Sequence, residues 1–280
     1  EHRWGFFPSG AFAWNIVREP FMDGLGAVSE LKLRLSAGMT GQQDGIGDYV
    51  HLARYNITSN PSYLYNMGNS DYVYPVTPLA YDPTIRWETT ITYNIGIDYG
   101  FFNDRLSGSI DAYLADTKDL LNSVQVPMGS NFGNKLTTNV GSLRNRGLEF
   151  SISAIPVQKP GLSVQVGFNG TFQNTVFTKL NPTEDKGYYI EVGNISKGTG
   201  GYLSRQMTGY SPYTYYLYQQ KYDSTGHPIQ NEFVDRDGDG SITENDRYMT
   251  GKSPSPKFFY GLNLKVTYMN WDFGLNGHGA

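Results

Sequence analysis

The residues of this chain best suited to chemistry form an acidic stretch between Asp235 and Asp246. Three aspartates alternate at its start, Gly240 follows them, and Asp246 closes the span. An EF-hand calcium loop takes ligands from positions 1, 3, 5, 7 and 12 of such a span and needs glycine at position 6 for its sharp turn. The spacing therefore predicts a calcium site with these ligands: Asp235, Asp237, Asp239, the Ser241 carbonyl and Asp246.

The match to a calcium loop differs from the usual pattern at its last position. The closing acid is normally a bidentate glutamate, and here it is the shorter Asp246, which can bind differently or more weakly. The alternative interpretation is a solvated acidic turn without a metal, because Asp and Gly are also favoured turn residues.

A tyrosine-rich segment precedes the acidic stretch. Exposed tyrosines offer a large contact area at a low cost in conformational entropy, so they could stack on sugar rings or pack against a partner. Alternatively, they hold the loop against the rest of the protein, and the same question applies to the segment Tyr63–Tyr81. The candidate contact residues are Tyr213, Tyr215, Tyr216 and Tyr218.

The remaining motifs give no support for catalysis. The chain has no Cys and 4 His residues without metal-ligand spacing. Gly251–Ser253 resembles the end of a phosphate-binding loop, but Asp246 occupies the position of the required upstream glycine. Neither a G-x-S-x-G nor an H-E-x-x-H motif is present. We therefore do not expect an enzyme.

Composition restricts the class of protein. Charged residues make up 17% and aromatic residues 15% of the 280 residues, with 22 Tyr and 33 Gly, whereas soluble domains carry about a quarter charged residues. The net charge of −4 and the lack of a basic patch argue against a nucleic-acid partner. No apolar run reaches the length of a membrane-spanning helix. A β-barrel remains possible, because its alternating strands score poorly on hydropathy.

Strict alternation of apolar and polar residues places successive side chains on opposite faces of a strand. On this basis the chain is predicted to supply about eight strands, several of them joined as hairpins by short turns at Asn103–Asp104, Gln158–Gly161 and Asn270. The alternating segments are Phe7–Trp14, Leu31–Met39, Ile91–Tyr99, Leu106–Leu114, Leu148–Ala154, Leu162–Phe172, Phe258–Tyr268 and Trp271–Leu275.

The connections between these strands are of two lengths. Three turns are very short, whereas long loops are predicted at Gly41–Arg86, Leu121–Asn145 and Val176–Ser255. Outer-membrane barrels have this asymmetry, with tight periplasmic turns and extended extracellular loops. Five aromatic residues at strand ends fit the girdle at the membrane interface: Tyr99, Phe101, Phe102, Tyr268 and Trp271.

A soluble β-sandwich or β-solenoid would also show alternation. Loops this long are unusual in compact soluble domains, and the polar faces carry Gly, Ser, Asn and Thr more than Lys and Glu. The sequence therefore favours an all-β fold, a transmembrane antiparallel β-barrel portion with long extracellular loops.

Several segments, in order along nearly the whole chain, together resemble the C-terminal part of the SusC/RagA-type TonB-dependent outer-membrane transporters. They are Trp4–Ser9, Leu31–Gln43, Arg86–Thr90, Tyr93–Asp98, Asn103–Asp111, Thr117–Leu121, Asn139–Glu149, Asp235–Arg247 and Gly251–Gly261. Position 236 is an arginine, whereas the family often carries another residue at this place in the acidic loop. The spacing of the ligand residues is unchanged.

The resemblance implies a large plugged barrel of roughly 22 strands, of which residues 1–280 would form only a part. The plug domain and the terminal strands are expected to lie outside this chain. It further implies active import of glycans (oligosaccharides) or peptides through the Gram-negative outer membrane, in contact with its lipid. The expected partners are a SusD-like surface lipoprotein and, through the N-terminal part, TonB.

Two other functions remain open at this point: a soluble calcium-stabilised carbohydrate-binding module and a passive porin. Sensor EF-hands switch by changing the angle between the two helices beside the calcium loop. The acidic stretch has no convincing amphipathic helices beside it, so a switching role is not expected. Calcium is therefore expected to pin a long extracellular loop to the barrel rim.

Overall fold

The computed structural model describes residues 4–57, 60, 62, 64–68, 72–127, 129–133, 135–181, 187–195 and 201–280. Short 3-10 turns occur at Ile16–Arg18, Pro20–Met22 and Glu244–Asp246. None of the helical turns in these ranges is long and apolar enough to cross a membrane. In chain order the strands are β1 (Ser9–Asn15), β2 (Val28–Gln42), β3 (Arg54–Ile57), β4 (Tyr65–Asn66), β5 (Tyr72–Val73), β6 (Val76–Leu79), β7 (Glu88–Phe101), β8 (Leu106–Gln125), β9 (Lys135–Lys159), β10 (Leu162–Lys179), β11 (Tyr189–Asn194), β12 (Tyr202–Met207), β13 (Thr214–Tyr218), β14 (Gln220–Tyr222), β15 (Pro228–Phe233), β16 (Arg247–Met249), β17 (Phe258–Tyr268) and β18 (Trp271–Gly279).

Eight of these strands form one antiparallel sheet in the order β1-β2-β7-β8-β9-β10-β17-β18. This sheet is called the wall below. Each predicted alternating segment lies within or largely overlaps one of its strands, and the predicted strand count is confirmed. Neighbours in the chain order of wall strands are also neighbours in space, as in an up-and-down barrel.

The two faces of the wall differ in chemistry. Leu35 pairs with Ile95 and Ile95 with Ala112, so that apolar side chains line up across strands on one face. Many of them are open to the surroundings, with Tyr93, Ile95 and Leu262 at least 50% exposed. A stable sheet in water would cover such a face, because large exposed apolar patches mark interaction or membrane surfaces.

Ion pairs bridge three strands on the opposite face. The Arg34 guanidinium on β2 donates to Asp98 on β7 at 2.7 Å and to Asp111 on β8 at 2.9 Å. It reaches Asp111 by crossing β7 at Gly96, where a Cβ atom would lie 2.2 Å from the Asp111 Oδ1. Gly96 therefore provides the space through which the arginine connects β2 to β8.

Strand packing is also tight between β8 and β9. A Cβ atom at Gly108 would lie only 2.0 Å from the backbone carbonyl oxygen of Ser151. The Tyr99 hydroxyl donates to the same carbonyl at 3.0 Å. Because the nearest atom belongs to the backbone, a side chain at position 108 would require the two strands to separate.

The two ends of the wall carry different connections. Three short turns lie at one end, and Phe102 and Trp271 beside them are 61% and 78% exposed. At the same end, residues 16–27 connect β1 to β2, and the Trp14 indole Nε1 donates to Glu19 at 2.8 Å. The described residues of the two long loops, between residues 43 and 87 and between residues 180 and 257, lie at the other end. The predicted asymmetry is therefore present.

The predicted long loop at Leu121–Asn145 is wrong in extent. β8 continues to Gln125 and β9 begins at Lys135, so the connection between the two strands is shorter than predicted. Polar and apolar residues share a face in the extended part of this hairpin, since Asn122 and Val124 pair with Thr138 and Leu136. Alternation arises only where the two faces meet different solvents, so this part gave no strand signal.

The segment between β10 and β17 folds into a second, four-stranded sheet in the order β11-β12-β13-β16, with the β14–β15 hairpin beside it. This sheet is called the loop sheet below. The Phe177 N–H at the end of β10 donates to the Tyr210 carbonyl at 3.0 Å, and the Gly209 N–H donates to the Phe177 carbonyl at 2.8 Å. These bonds attach the segment to the wall.

Candidate calcium loop and its tyrosine neighbours

The acidic stretch connects the β14–β15 hairpin to β16. Its first three aspartates converge in space, since one carboxylate oxygen from each of Asp235, Asp237 and Asp239 lies within 4.8 Å of the other two. Sequence spacing alone suggested this meeting, and the folded chain produces it. Three carboxylates so close repel one another unless a proton or a cation intervenes.

The loop backbone holds these carboxylates in place. Asp235 accepts hydrogen bonds from the N–H groups of Gly238 at 2.7 Å and Gly240 at 2.8 Å. Asp239 accepts from the Ser241 N–H at 2.8 Å. Gly238 and Gly240 have φ angles of +77° and +83°, a region that L side chains rarely adopt. The glycine at position 6 of the motif is thus required by the turn.

Asp246 has a structural role of its own. It is fully buried, and its two carboxylate oxygens accept the N–H groups of Arg236 at 2.6 Å and Thr243 at 2.7 Å. The Thr243 hydroxyl in turn accepts the Asn245 N–H, which completes a capping box around the 3-10 turn. Asp246 thus ties the two ends of the acidic stretch together.

These hydrogen bonds also set the protonation of Asp246. The N–H of Thr243, followed by that of Arg236, lowers the pKa of Asp246 below its ordinary value, against an opposing effect of burial. Each of its oxygens retains a lone pair, since a carboxylate has about four acceptor sites. Asp246 therefore serves as a cap, and the cluster of converging carboxylate oxygens consists of Asp235, Asp237 and Asp239 without it.

No basic side chain in the described part of the chain forms an ion pair with Asp235, Asp237 or Asp239. Arg236 lies within the loop but turns away, because it donates to the Gln219 Oε1 at 2.8 Å and stacks over the Tyr248 ring at 4.4 Å. The three carboxylates thus fit a hard divalent cation, which prefers oxygen ligands. The predicted Ser241 carbonyl ligand stays a prediction.

The four candidate tyrosines occupy different environments. Tyr213 is 48% exposed and has a φ angle of +57° at the start of β13. Tyr215, Tyr216 and Tyr218 are half-buried in β13, and the Tyr218 ring lies 5.4 Å from that of Phe233. Of the other tyrosine-rich segment, Tyr63 lies outside the described residues, whereas Tyr65 in β4 is 64% exposed.

Tyr216 belongs to a stack that sequence reasoning missed. The Arg205 guanidinium lies 3.8 Å from the Tyr189 ring centre and 3.6 Å from that of Tyr216. Arg247 continues the stack at 4.6 Å from Tyr216 and 5.9 Å from Tyr218. These side chains come from all four strands of the loop sheet or their ends, so no local pattern could have revealed the stack.

The stack is connected to the acidic loop. Arg247 directly follows Asp246 and donates to the carbonyl oxygens of Tyr202 and Tyr216. The Tyr216 hydroxyl donates to the Glu244 carbonyl at 3.3 Å. Order in the acidic loop and order in the loop sheet are therefore linked through these contacts, with Tyr213 left as the most exposed of the candidate contact residues.

Comparisons with known proteins relate this architecture to one family. Residues 1–278 match the model of the "TonB dependent receptor-like, beta-barrel" family. The chain is 41% identical over 277 residues to the TonB-dependent receptor SusC of Bacteroides thetaiotaomicron, covering 99% of this chain and 27% of that protein.

Solved structures of a similar fold include two of RagAB. The RagAB peptide transporter superposes with a TM-score of 0.74 at 21% identity, over 97% of this chain and 29% of that chain. The RagAB peptide importer in the "open-open" state gives a TM-score of 0.75 at 22% identity, over 96% of this chain and 28% of that chain. The chain therefore spans less than a third of the length of these relatives. The resemblance and the barrel-type fold predicted from the sequence are confirmed.

Proposed function

The chain belongs to the TonB-dependent receptor β-barrel family, and we propose that it forms part of an outer-membrane active transporter for glycans (oligosaccharides) or peptides. In this proposal the wall is one sector of the barrel, and the remainder of the receptor supplies the plug and the contact with TonB. A SusD-like surface lipoprotein serves as the partner that closes the mouth.

The observation that carries the proposal is the two-faced wall. One face presents exposed apolar side chains such as Ile95 and Leu262, and the other carries the Arg34 ion pairs. A transmembrane barrel needs an apolar face toward lipid and a polar face toward its interior. With the 41% identity to a TonB-dependent receptor, this arrangement supports transport rather than a soluble binding module.

We further propose that the short turns face the periplasm and the long loops face the cell exterior. The aromatic residues near the short turns would then lie at the inner interface of the outer membrane. The loop sheet would stand at the extracellular mouth, where Tyr213, Tyr215, Tyr216 and Tyr218 are candidates for contact with substrate or lid, and Tyr213 is the most accessible of them.

Uptake measured in whole cells tests this function. Cells that carry the complete receptor are given labelled oligosaccharides and peptides, in the presence and absence of TonB. An active transporter accumulates its substrate only when TonB is present. Accumulation that continues without TonB would indicate a passive porin, and no uptake of either class would contradict the proposed function.

We also propose that Asp235, Asp237, Asp239, the Ser241 carbonyl and Asp246 hold a calcium ion. A bound calcium ion would supply positive charge that offsets the repulsion among the three converging carboxylates. Its role would be to stabilise the connection between the β14–β15 hairpin and β16, since Arg247 at the loop exit leads directly into the tyrosine stack.

Calcium removal tests the second proposal. A chelator, or the double substitution Asp237→Asn and Asp239→Asn, should speed proteolysis of the loop and weaken binding of the lipoprotein lid. Glu232→Gln is the matched control, because Glu232 is an exposed acid in the neighbouring strand β15. Unchanged proteolysis and unchanged uptake after both treatments would contradict a calcium ion at this loop.

A further inference from the structure

A second site lies at the long-loop end of the wall, away from the acidic loop. A cavity of about 710 Å³ opens between residues 43–52 and the segment that leads into β7. Its volume lies within the range of small-molecule sites, which combine aromatic surfaces with a few placed polar groups. The residues that give it chemical character are Gln43, Asp44, Asp48, Tyr49, His51 and Trp87.

Trp87 is held firmly at this cavity. The ring of Phe7 stacks on it at 5.4 Å with an interplanar angle of 19°. Trp87 lines the cavity and is half-buried, whereas Phe7 does not line it. An aromatic ring fixed on one side and open on another is a ready surface for stacking.

The residues on either side of Trp87 are fixed to the β8–β9 hairpin. The Asn139 side chain accepts the Arg86 N–H and donates to the Arg86 carbonyl, both at 2.8 Å. The Glu88 carboxylate accepts the Leu121 N–H at 2.8 Å. Trp87 is therefore already ordered before a ligand binds. Binding would cost little conformational entropy at this residue, which favours affinity.

Two carboxylates, those of Asp44 and Asp48, belong to residues that line the cavity. No Lys or Arg of the described residues pairs with the carboxylates of Asp44 or Asp48. The nearby Arg54 donates instead to the Asp48 backbone carbonyl at 2.9 Å. The Asp44 carboxylate accepts a hydrogen bond of 3.5 Å from the Gln42 Nε2. Because a carboxylate has about four acceptor sites, both aspartates can still accept hydrogen bonds from a ligand, and they would repel an anionic one.

From this arrangement we propose that the cavity binds a neutral, hydroxyl-rich sugar ring of the transported glycan. The inference rests on the proposed transport function and names the class of substrate. The C–H face of the sugar stacks on Trp87, and its hydroxyl groups donate to Asp44 and Asp48. Glycans that carry carboxylate or sulfate groups and acidic peptides are disfavoured by the same two aspartates.

The first test uses TonB-dependent uptake by cells carrying the whole receptor. The probes are a panel of neutral oligosaccharides built from glucose, mannose, galactose or xylose, with oligogalacturonate, a sulfated oligosaccharide and mixed peptides as the alternatives. Uptake of a neutral probe supports the inference. TonB-dependent uptake restricted to anionic glycans or peptides overturns it and leaves the transport function intact, whereas no TonB-dependent uptake at all contradicts the function itself.

The second test locates the site on the purified complete receptor with the transported neutral probe. Trp87→Ala should weaken binding about tenfold, because the stacking surface is lost. Trp14→Ala is the matched control, since it removes an indole at the short-turn end of the wall, away from the cavity. Equal losses in both variants, or none in Trp87→Ala, would overturn the inference.

A third comparison tests the carboxylates. The double substitution Asp44→Asn and Asp48→Asn should weaken binding of the neutral probe severalfold and reduce the discrimination against oligogalacturonate. Asp23→Asn is the control, because Asp23 is an exposed acid at the opposite end of the wall. Unchanged selectivity between the neutral and the anionic probe would contradict the role assigned to the two aspartates.

Discussion

Wall strands β7 and β8 pair at 13 positions, whereas strands of the loop sheet pair at between 2 and 5 positions. The wall is therefore stabilised by long ladders of backbone hydrogen bonds, to which each side chain adds little. The loop sheet depends on a few side chains, notably Asp246 and the Arg205–Tyr216–Arg247 stack. A substitution should consequently act in different ways in the two regions.

The largest effect is expected where a side chain would separate wall strands. Gly108→Ala places a Cβ atom 2.0 Å from the Ser151 carbonyl oxygen and should destabilise the barrel by about 1–3 kcal/mol, as overpacking does. The measurement is the temperature at which the detergent-solubilised receptor loses its heat-modifiable gel mobility. Gly26→Ala is the control, because Gly26 lies in the connection between β1 and β2 and a Cβ atom there meets nothing within 4 Å. Equal shifts in both variants would contradict the close packing.

A smaller, local effect is expected in the loop. Asp246→Asn replaces one carboxylate oxygen by an amide that cannot accept, so a buried N–H of Arg236 or Thr243 loses its partner. We expect roughly tenfold faster proteolysis between residues 219 and 247, with unchanged barrel stability.

Glu244→Gln is the matched control for this loop substitution, since Glu244 is an exposed acid in the same 3-10 turn. If Asp246→Asn lowered the stability of the whole barrel instead, the loop and the wall would form one cooperative unit. The comparison between the two regions would then be wrong.

Acidification should loosen the same loop reversibly. The pKa of Asp246 is lowered from its ordinary value of 3.8, chiefly by the Thr243 N–H. Its stabilising contribution is therefore complete above about pH 4 and is lost as the pH falls through the lowered pKa. Hydrogen exchange of the Arg236 and Thr243 amides between pH 7 and pH 2 measures this. The exchange rates are corrected for their intrinsic pH dependence. If the two amides then keep their protection below pH 4, the hydrogen bonds to Asp246 do not stabilise the loop as proposed.

The smallest effect is expected in the tyrosine stack. Arg205→Lys keeps the charge near Glu191, which now lies 3.2 Å from the guanidinium, but loses the planar stacking on Tyr189 and Tyr216. We expect a local loss of up to about 1 kcal/mol, seen as faster amide exchange in β12. Lys221→Arg, on the exposed hairpin, should leave exchange unchanged. If both variants lost amide protection to the same extent, the arginine–tyrosine stack would not be the cause of the loss.

Much of the wall could be predicted from the sequence. Alternation at Leu31–Met39 and Ile91–Tyr99 marked β2 and β7, because lipid and barrel interior impose different chemistry on the two faces of each strand. Turn residues placed the hairpins, and the φ angle of +77° at Gly161 fits the turn predicted there. The extended β8–β9 hairpin was missed, because polar and apolar residues share a face there and the alternation stops.

The acidic loop was likewise predicted from the sequence only in part. Spacing predicted that Asp235, Asp237 and Asp239 would meet, since a turn with glycine at Gly240 brings residues two apart together. The double role of Asp246 was not foreseen, because its partners Arg236 and Thr243 are identified only once the loop has closed. The cavity beside Trp87 was missed for a similar reason, as its lining comes from two segments far apart in the chain.

The sequence by itself determined the strands of the wall, their short turns, the family and the acidic motif. Each of these depends on residues close together in the chain or on a solvent difference repeated along a strand. Only the tertiary structure decided the loop sheet, the arginine–tyrosine stack and the cavity at Trp87. These features arise where distant segments meet, and their stability comes from hydrogen bonds and ring contacts that no local pattern encodes.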